Sequence, residues 1–352
     1  MLTPPILIAI AVAVVIAVAI GVALGMKSPS HTTGKSAESG TAGDGKPPWN
    51  GDQAADSVGE ADHEALHAES DKTPRRELTC VELADRLAIP LSQLQAHEAT
   101  YREERIPKPK GGFRRLEIPD DATKAFQRAI LRRLLHALDA HPMACGFEEG
   151  ASIVDAAMPH QQKRVVVKMD IRHFFEHTSA ERVQKWFQAI GWDKQAAELL
   201  TSLTTYNGHL PQGAPTSPRL TNLINAPLDY ALLQIARRHK GDYSRYADDI
   251  TMSFDIKRGR VIRGITQVVR RILRSYGYTM HGGSKLQILR QNNRQMVLGL
   301  VVNSTVALPR KTRRWLRSVR HRLENGQETT ITEQQLLGWE AFARMIETQR
   351  DE

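Results

Sequence analysis

Alternating apolar and polar positions predict a β-hairpin over residues 243–254, which read YSRYADDITMSF. On its second strand three apolar side chains alternate with two hydroxyl side chains, which is the period of a strand with one buried face. Asp248 and Asp249 fall between the strands, and we expect them at the tip of a tight turn, where aspartate is well tolerated. An isolated pair of this kind usually only solvates a loop, so its neighbours decide its meaning.

Two segments earlier in the chain change the picture. Residues 165–169 predict a buried strand that ends at a third acid, Asp170, and a helix is expected from about Ser179, whose hydroxyl can cap it. Residues 210–218, LPQGAPTSP, hold a glycine and prolines that exclude regular structure and let the backbone approach a ligand.

Helical periodicity marks the segments that surround these two. Helices are expected over residues 78–89, 94–102, 124–138, 219–238 and 261–276. Pro90 ends the first helix, Pro227 must break or kink the fourth, and Gly277 stops the last.

Two basic segments stand out. Gly111-Gly112 predicts a hairpin turn flanked by cations, which suits a triphosphate because arginine binds phosphate oxygens in pairs, although a solvated basic hairpin explains this segment equally well. Near the C-terminus, a predicted helix over 310–322 places arginines on one face and Leu316, Val319 and Leu323 on the other, so that one face would pack and the other would follow a phosphate backbone. The cations in question are Lys108, Lys110, Arg114 and Arg115 in the hairpin, and Arg310, Arg313, Arg314, Arg317 and Arg320 in the helix.

The N-terminal part has a different character. Residues 6–24 form an uninterrupted apolar run that is long enough to cross a bilayer as a helix, and the lysines that follow it favour a cytoplasmic C-terminal side. A secretory signal peptide is the competing interpretation, but no lysine or arginine precedes the run. We therefore expect a transmembrane anchor over residues 1–26 and a disordered linker over 27–74, with folded structure from about Glu77.

Composition narrows the partners and the chemistry. A net charge of +9 and a pI near 9.6 favour nucleic acid or an anionic membrane surface. Two cysteines cannot form a metal site or a disulfide framework. Three acids at the ends of neighbouring strands instead predict hard divalent cations, two Mg²⁺ ions for which Mn²⁺ can substitute, and no GxxxxGK[ST] loop is present for a P-loop ATPase.

Several motifs in sequence order resemble those of the bacterial retron-type reverse transcriptases. KMDIRHFF is similar to the first catalytic motif of the family, LPQGAPTSPRLTN to the second, and YADD to the catalytic hairpin. GGFRRLEIP resembles the fingertip motif, and HPMACGFEEGASIVDAAMPH the fingers region before the first aspartate. The resemblance covers roughly residues 78–346.

The resemblance implies an α+β fold shaped as a right hand, with fingers, a palm built on an antiparallel sheet, and a short helical thumb. The reverse transcriptase domain would occupy residues 75–352. Its fingers would span about 75–164 and 180–210, its palm about 165–179 and 211–303, and its thumb about 304–352. The implied activity is an RNA-directed DNA polymerase that uses an RNA template, a primer and deoxynucleoside triphosphates.

The resemblance also assigns roles to individual residues. Asp170, Asp248 and Asp249 would be the metal ligands, and Lys285 would protonate the pyrophosphate leaving group. Phe175 occupies the place of the steric gate against a ribose 2′-hydroxyl. Arg114 or Arg115 would contact the triphosphate, and Gln212 and Gly213 would border the incoming nucleotide. Residues 296–303, MVLGLVVN, resemble the segment that holds the primer end.

Two departures from the retron pattern leave alternatives open. The Asn-Ala-x-x-His element reads Ala156-Ala157-Met158-Pro159-His160 here, and Val-Thr-Gly reads Val297-Leu298-Gly299. Both elements help retron enzymes engage a cognate structured RNA, which puts a branched RNA–DNA product in doubt. We expect an inner-membrane enzyme with a cytoplasmic catalytic domain, a role in anti-phage defence, and partners that include a structured non-coding RNA and an effector protein. The alternatives are a non-retron defence polymerase, a template-independent or RNA-synthesising polymerase, and a catalytically silent nucleic-acid-binding membrane sensor.

Overall fold

The computed structural model describes residues 77–108 and 111–351. The expected anchor and linker lie outside these residues, as does Lys110. Within the described ranges, no helix has the length and apolar character that a membrane crossing requires.

The elements alternate between helices and short strands. The helices are α1 Cys80–Leu87, α2 Leu91–Ala96, α3 Asp121–Ile130, α4 Ile153–Ala157, α5 Ala180–Ala189, α6 Lys194–Thr204, α7 Ser217–Ile224, α8 Ala226–Arg238, α9 Gly259–Ser275, α10 Arg310–Glu324 and α11 Glu333–Asp351. The strands are β1 Tyr101–Pro107, β2 Phe113–Pro119, β3 Val165–Arg172, β4 Asp242–Tyr246, β5 Asp249–Phe254, β6 Thr279–Met280, β7 Gln287–Arg290, β8 Met296–Val297 and β9 Leu300–Val301. A π-helical turn, Leu131–Leu135, extends α3, and 3-10 turns form at Met158–His160 and Gly283–Lys285.

A five-stranded antiparallel sheet lies at the centre, in the order β4-β5-β3-β6, with β7 also paired to β3. Alternate residues of β3 and β5 point to one face, where they pack with apolar side chains of α8 and α9. The opposite face is covered at one end only, where Val166 packs against α4 and the β8–β9 hairpin. The other end of that face, which carries Asp170, is left open to a ligand.

Two further cores flank the sheet. One gathers the inward faces of α1, α2, α3, α5, α6 and α7, and the β1–β2 hairpin projects beside it. The other joins α4, β8, β9, α10 and α11, with Leu316 and Val319 buried as the sequence predicts. The chain therefore follows the expected α+β plan, with an antiparallel sheet between two largely helical regions.

Most predicted elements are confirmed, and their ends have local causes. Ser179 caps α5 by accepting from the Arg182 backbone N–H, and Asn225 separates α7 from α8 two residues before Pro227. Gly111 and Gly112 form the predicted turn, each with positive φ. Gly277 follows α9 with φ of 77°, as a stop signal should.

Three predictions need correction. The helix expected over 94–102 is wrong, because α2 ends at Ala96 and Tyr101 already pairs with Pro119 in β1–β2, where the backbone groups find partners. The helix expected over 124–138 is α-helical only to Ile130 and continues as the π-helical turn. The tip of the acidic hairpin is Ala247-Asp248, since Asp249 already pairs with Tyr246 as the first residue of β5.

Candidate active site

Strand register brings the three acids to the open end of the sheet. Asp170 on β3 lies directly opposite Asp249 on β5, an arrangement that places Cβ atoms about 4.5–5.5 Å apart. The Ile171 N–H donates to the Asp248 carbonyl over 2.9 Å, which fixes the hairpin turn against β3. Like charges directly opposite one another destabilise a sheet, so this pairing needs a compensating cation.

The electrostatics of the hairpin point the same way. Burial raises the pKa of Asp248 to about 6, and the charges of Asp249 and Asp170 add to that effect. Burial also raises the pKa of Asp249, although the nearby Lys168 ammonium partly offsets the increase. Both carboxylates are therefore costly to ionise unless positive charge is close.

Two cationic groups already contact Asp170. Lys285 Nζ donates to both carboxylate oxygens, over 2.9 and 3.0 Å, and His281 Nε2 lies 3.5 Å from one of them. The His281 N–H also donates to the Asp170 carbonyl over 2.8 Å. Sequence reasoning missed His281, because only the two-residue pairing of β6 with β3 brings it there, and so short a strand leaves no periodic signal.

The acids fit a divalent metal in chemistry rather than in a finished geometry. Their donors are carboxylate oxygens, the ligands that Mg²⁺ and Mn²⁺ prefer. Across residues 77–108 and 111–351, however, no three acidic, histidine or cysteine side chains are already gathered to hold an ion. The Lys285 ammonium takes both oxygens of Asp170, so metal binding requires Asp170 to turn from Lys285 toward Asp248 and Asp249.

The loop before α7 is fastened to the fingertip hairpin. The Glu117 N–H on β2 donates to the Gln212 carbonyl over 2.9 Å, and the Glu117 carboxylate accepts from His209 Nε2 over 3.0 Å. A Cβ at Gly213 would lie 2.8 Å from the Glu117 carbonyl oxygen, and Gly213 has φ of 139°. Only glycine lets the loop approach β2 so closely, so Gln212 and Gly213 hold a fixed position beside the hairpin.

The two arginines of that hairpin differ in their partners. Arg115 forms ion pairs with Glu103 and with the buried Glu117, on the strand face that also contacts the Gln212 loop. Arg114 points to the opposite face, is exposed, and makes no ion pair or hydrogen bond with another described residue. Lys108 is likewise exposed at the turn. Arg114 is consequently the arginine available to an external anion, and Arg115 is engaged in holding the hairpin together.

The consecutive phenylalanines after Asp170 divide into two environments. Phe174 is 3% exposed in the sheet core, as the sequence suggests. Phe175 is only half-buried and meets Phe174 edge-on, with ring centroids 5.8 Å apart. A partly exposed ring five residues from Asp170 has the freedom to contact a ligand.

A buried charged network, which sequence reasoning missed, anchors the catalytic hairpin. The Arg245 guanidinium is fully buried and donates to both carboxylate oxygens of Asp229 over 2.6 Å each. It also donates to the Ala247 carbonyl in the turn and to Asn222 on α7, over 3.1 Å in each case. Burial alone would lower the pKa of Arg245, but the ion pair with Asp229 outweighs this and raises it.

The basic C-terminal helix borders a groove away from the acids. The groove, of about 500 Å³, lies between α10 and α11, and its lining includes Arg310, Arg313, Arg317 and Arg320. Arg320 forms ion pairs with Glu340 on α11 and with Glu324. Arg320 thus ties the two helices together, whereas Arg314 lies outside the lining and is exposed.

Comparisons with known proteins agree with this arrangement. The family model described as "Reverse transcriptase (RNA-dependent DNA polymerase)" matches residues 106–302. The Retron Mx65 reverse transcriptase of Myxococcus xanthus is 32% identical over 265 residues, which are 70% of this chain and 61% of that protein. The Retron Mx162 reverse transcriptase of the same organism is 33% identical over 276 residues, 69% and 57% of the two chains. The Retron Ec86 reverse transcriptase of Escherichia coli is 29% identical over 270 residues, 75% and 83% of the two chains. The chain therefore spans less than two thirds of the length of the two Myxococcus proteins.

Proposed function

The chain belongs to the reverse transcriptase (RNA-dependent DNA polymerase) family, and from that premise we propose that it is itself an RNA-directed DNA polymerase. It would add deoxynucleotides to a primer 3′-hydroxyl under the direction of an RNA template. The observation that supports this most strongly is the pairing of Asp170 with Asp249, with Asp248 in the adjoining turn. Such a concentration of buried carboxylates is costly unless cations use it.

The chemistry assigns each residue near the acids a task. Two divalent cations, Mg²⁺ with Mn²⁺ as a substitute, would supply activation of the attacking hydroxyl and stabilisation of the departing phosphate oxygen. Asp170, Asp248 and Asp249 would hold them. Lys285 carries a proton on Nζ within 2.9 Å of Asp170, close enough to give it to the leaving pyrophosphate.

Binding and selection of the nucleotide fall to the surrounding elements. Arg114 is the exposed guanidinium that can pair with triphosphate oxygens, and Gln212 presents one edge of the pocket from a loop fixed to β2. Phe175 stands where a ribose 2′-hydroxyl would have to fit. The exposed arginines of α10 would contact the nucleic-acid backbone.

The direct test measures template-dependent incorporation of deoxynucleotides with Mg²⁺ or Mn²⁺. Asp249→Asn should abolish incorporation without lowering the melting temperature. Asp255→Asn is the matched control, because Asp255 follows the opposite end of β5 and its carboxylate lies beside Lys163. Incorporation that survives Asp249→Asn, or that is lost equally in Asp255→Asn, would refute the site.

Retron-like biology is a finer part of the proposal. It is supported by the names of the relatives, and it predicts a structured non-coding RNA as template, an effector protein partner and a role in anti-phage defence. Sequencing nucleic acid that copurifies with the tagged protein tests the first point. A discrete single-stranded DNA linked to RNA is expected, and its absence would favour a non-retron polymerase of the same fold.

The N-terminal apolar run supports a tether to the inner membrane with the catalytic domain in the cytoplasm. Membrane fractionation of the full chain against a variant that lacks residues 1–26 tests this. The full chain should sediment with membranes and the truncated chain should not.

A further inference from the structure

Residues 143–147 run alongside the catalytic hairpin as an added edge. The Arg245 N–H donates to the Met143 carbonyl over 2.7 Å, and the Cys145 N–H donates to the Arg245 carbonyl over 2.9 Å. These bonds attach the segment to the outer side of β4. Its motif, HPMACGFEEG, has no role in the chemistry described so far.

The next residue brings this segment against the turn itself. A Cβ at Gly146 would lie 2.7 Å from the Ala247 backbone nitrogen, a distance that real Cβ atoms do not reach. Glycine is required there because the two backbones touch. The position of Phe147 is thereby fixed relative to the turn that carries Asp248.

Phe147 combines exposure with an unusual backbone. Its φ is 65°, in the left-handed region that glycine and asparagine favour and bulky side chains rarely adopt. Its ring is 48% exposed and belongs to none of the hydrophobic cores of the described residues. Strain of this kind persists only where the surroundings impose it, and here the result is an aromatic ring presented to solvent.

The ring has an aromatic neighbour at the catalytic end of β4. Phe147 and Tyr246 have centroids 6.0 Å apart and planes inclined by 41°. The acid that follows, Glu148, is engaged by Arg219 and Asn222, so its charge is compensated on the side away from the ring. An apolar, exposed pair of rings therefore adjoins a catalytic turn on an otherwise basic protein.

We propose that Phe147, with Tyr246, is a stacking platform for a base among the last three nucleotides of the primer. The inference rests on the proposed polymerase function, because Asp170, Asp248 and Asp249 require the primer 3′-hydroxyl to lie beside this hairpin. Bases stack on exposed aromatic rings with little sequence preference, which suits an enzyme that extends any primer sequence. The platform would hold the primer end still while each nucleotide is added.

The test is equilibrium binding of a fluorescent primer–template duplex, without nucleotide, so that no catalysis is needed. Phe147→Ala should weaken binding about 5- to 150-fold, the range for loss of one stacked base. Phe147→Trp should retain wild-type affinity, and Phe147→Leu should lose it as alanine does. Tyr230→Ala removes another exposed ring, from α8, and should change nothing.

An abasic site locates the contact. Placed at each of the last three primer positions in turn, it should at one of them erase the difference between wild type and Phe147→Ala. Phe147→Gly should also weaken binding while the melting temperature stays unchanged or rises, because glycine accepts the positive φ. Unchanged affinity of Phe147→Ala, additivity with all three abasic primers, or a lower melting temperature of Phe147→Gly would each overturn the proposal. Since binding is measured apart from incorporation, this failure is distinguishable from a failure of Asp249→Asn to abolish catalysis.

Discussion

Replacing Asp248 with asparagine should stabilise the metal-free protein while it abolishes nucleotide incorporation. The reason is that the pKa of Asp248 rises from 3.8 to about 6, first through burial and then through Asp249 and Asp170. Each unit of pKa corresponds to about 1.4 kcal/mol, so ionised Asp248 costs the fold up to about 3 kcal/mol at neutral pH. Allowing for solvent screening and for the new amide, we expect a gain of about 1–3 kcal/mol.

The sign of the pH dependence follows from linkage. Because the folded pKa lies above the unfolded one, the folded protein binds the Asp248 proton more tightly. The cost of ionisation is absent below about pH 4 and is complete above about pH 6. The variant cannot ionise at this position, so its advantage over wild type is full above about pH 6 and disappears as the pH falls below about 4.

The assay compares thermal melts at pH 4 and pH 7.5, with a chelator and with Mg²⁺. With the chelator at pH 7.5 the variant should melt roughly 2–10 °C higher than wild type, since 1 kcal/mol shifts a domain of this size by a few degrees. Mg²⁺ should stabilise wild type more than the variant, because the variant has lost a ligand. Asp255→Asn, which only weakens an ion pair with Lys163, should show no gain. A variant that melts no higher than wild type at pH 7.5, or whose gain is as large at pH 4, would contradict the reasoning.

Three further substitutions test the surroundings of the acids. Gly213→Ala should abolish incorporation, because its Cβ would lie 2.8 Å from the Glu117 carbonyl; single-turnover rates measure this, and wild-type rates would show that the loop can move. Arg114→Ala should raise the deoxynucleotide KM about 10- to 100-fold at unchanged melting temperature, whereas Arg115→Ala should lower the melting temperature by leaving buried Glu117 without an ion-pair partner; the reverse result would exchange their roles. Phe175→Ala should admit ribonucleotides, and steady-state kinetics with both sugars would show unchanged selectivity if Phe175 is no gate.

The features that the sequence predicted well are those with strong local signals. Period-two alternation identified the β4–β5 hairpin because one face of each strand is buried, and a buried apolar run placed Asp170 after a strand. Register was beyond the sequence, since nothing in either strand states which residue of β5 meets Asp170. Only the assembled sheet places Asp249 opposite it.

Errors arose where tertiary pairing overrides local preference. Residues 101–102 were assigned to a helix, but β2 supplies partners for their backbone groups, and a strand forms. In the turn, positive φ falls on Ala247 rather than on an aspartate. The buried Arg245 explains why, because its guanidinium holds the Ala247 carbonyl and so fixes the turn.

The departures from the retron pattern have a structural explanation within the fold. His160 is fully buried between β4 and β5, where its ring bonds to Ser253 over 2.7 Å and to Ser244 over 2.9 Å. Burial lowers the pKa of His160 to about 3, so the ring is a neutral strut at physiological pH. Ala156 is also fully buried, and its carbonyl accepts from Ser244 over 2.9 Å.

Neither buried side chain of this element can touch RNA, so an alanine in place of asparagine at position 156 changes packing behind the catalytic hairpin. The second departure is similar, because Leu298 adopts φ of 47° in the β8–β9 turn and packs against the C-terminal core. A leucine in a left-handed turn is strained, and its apolar contacts offset that strain. Both differences are thus internal adjustments of the fold, and they give no physical ground for denying this chain a structured RNA partner; that recognition has to come from its exposed basic surfaces.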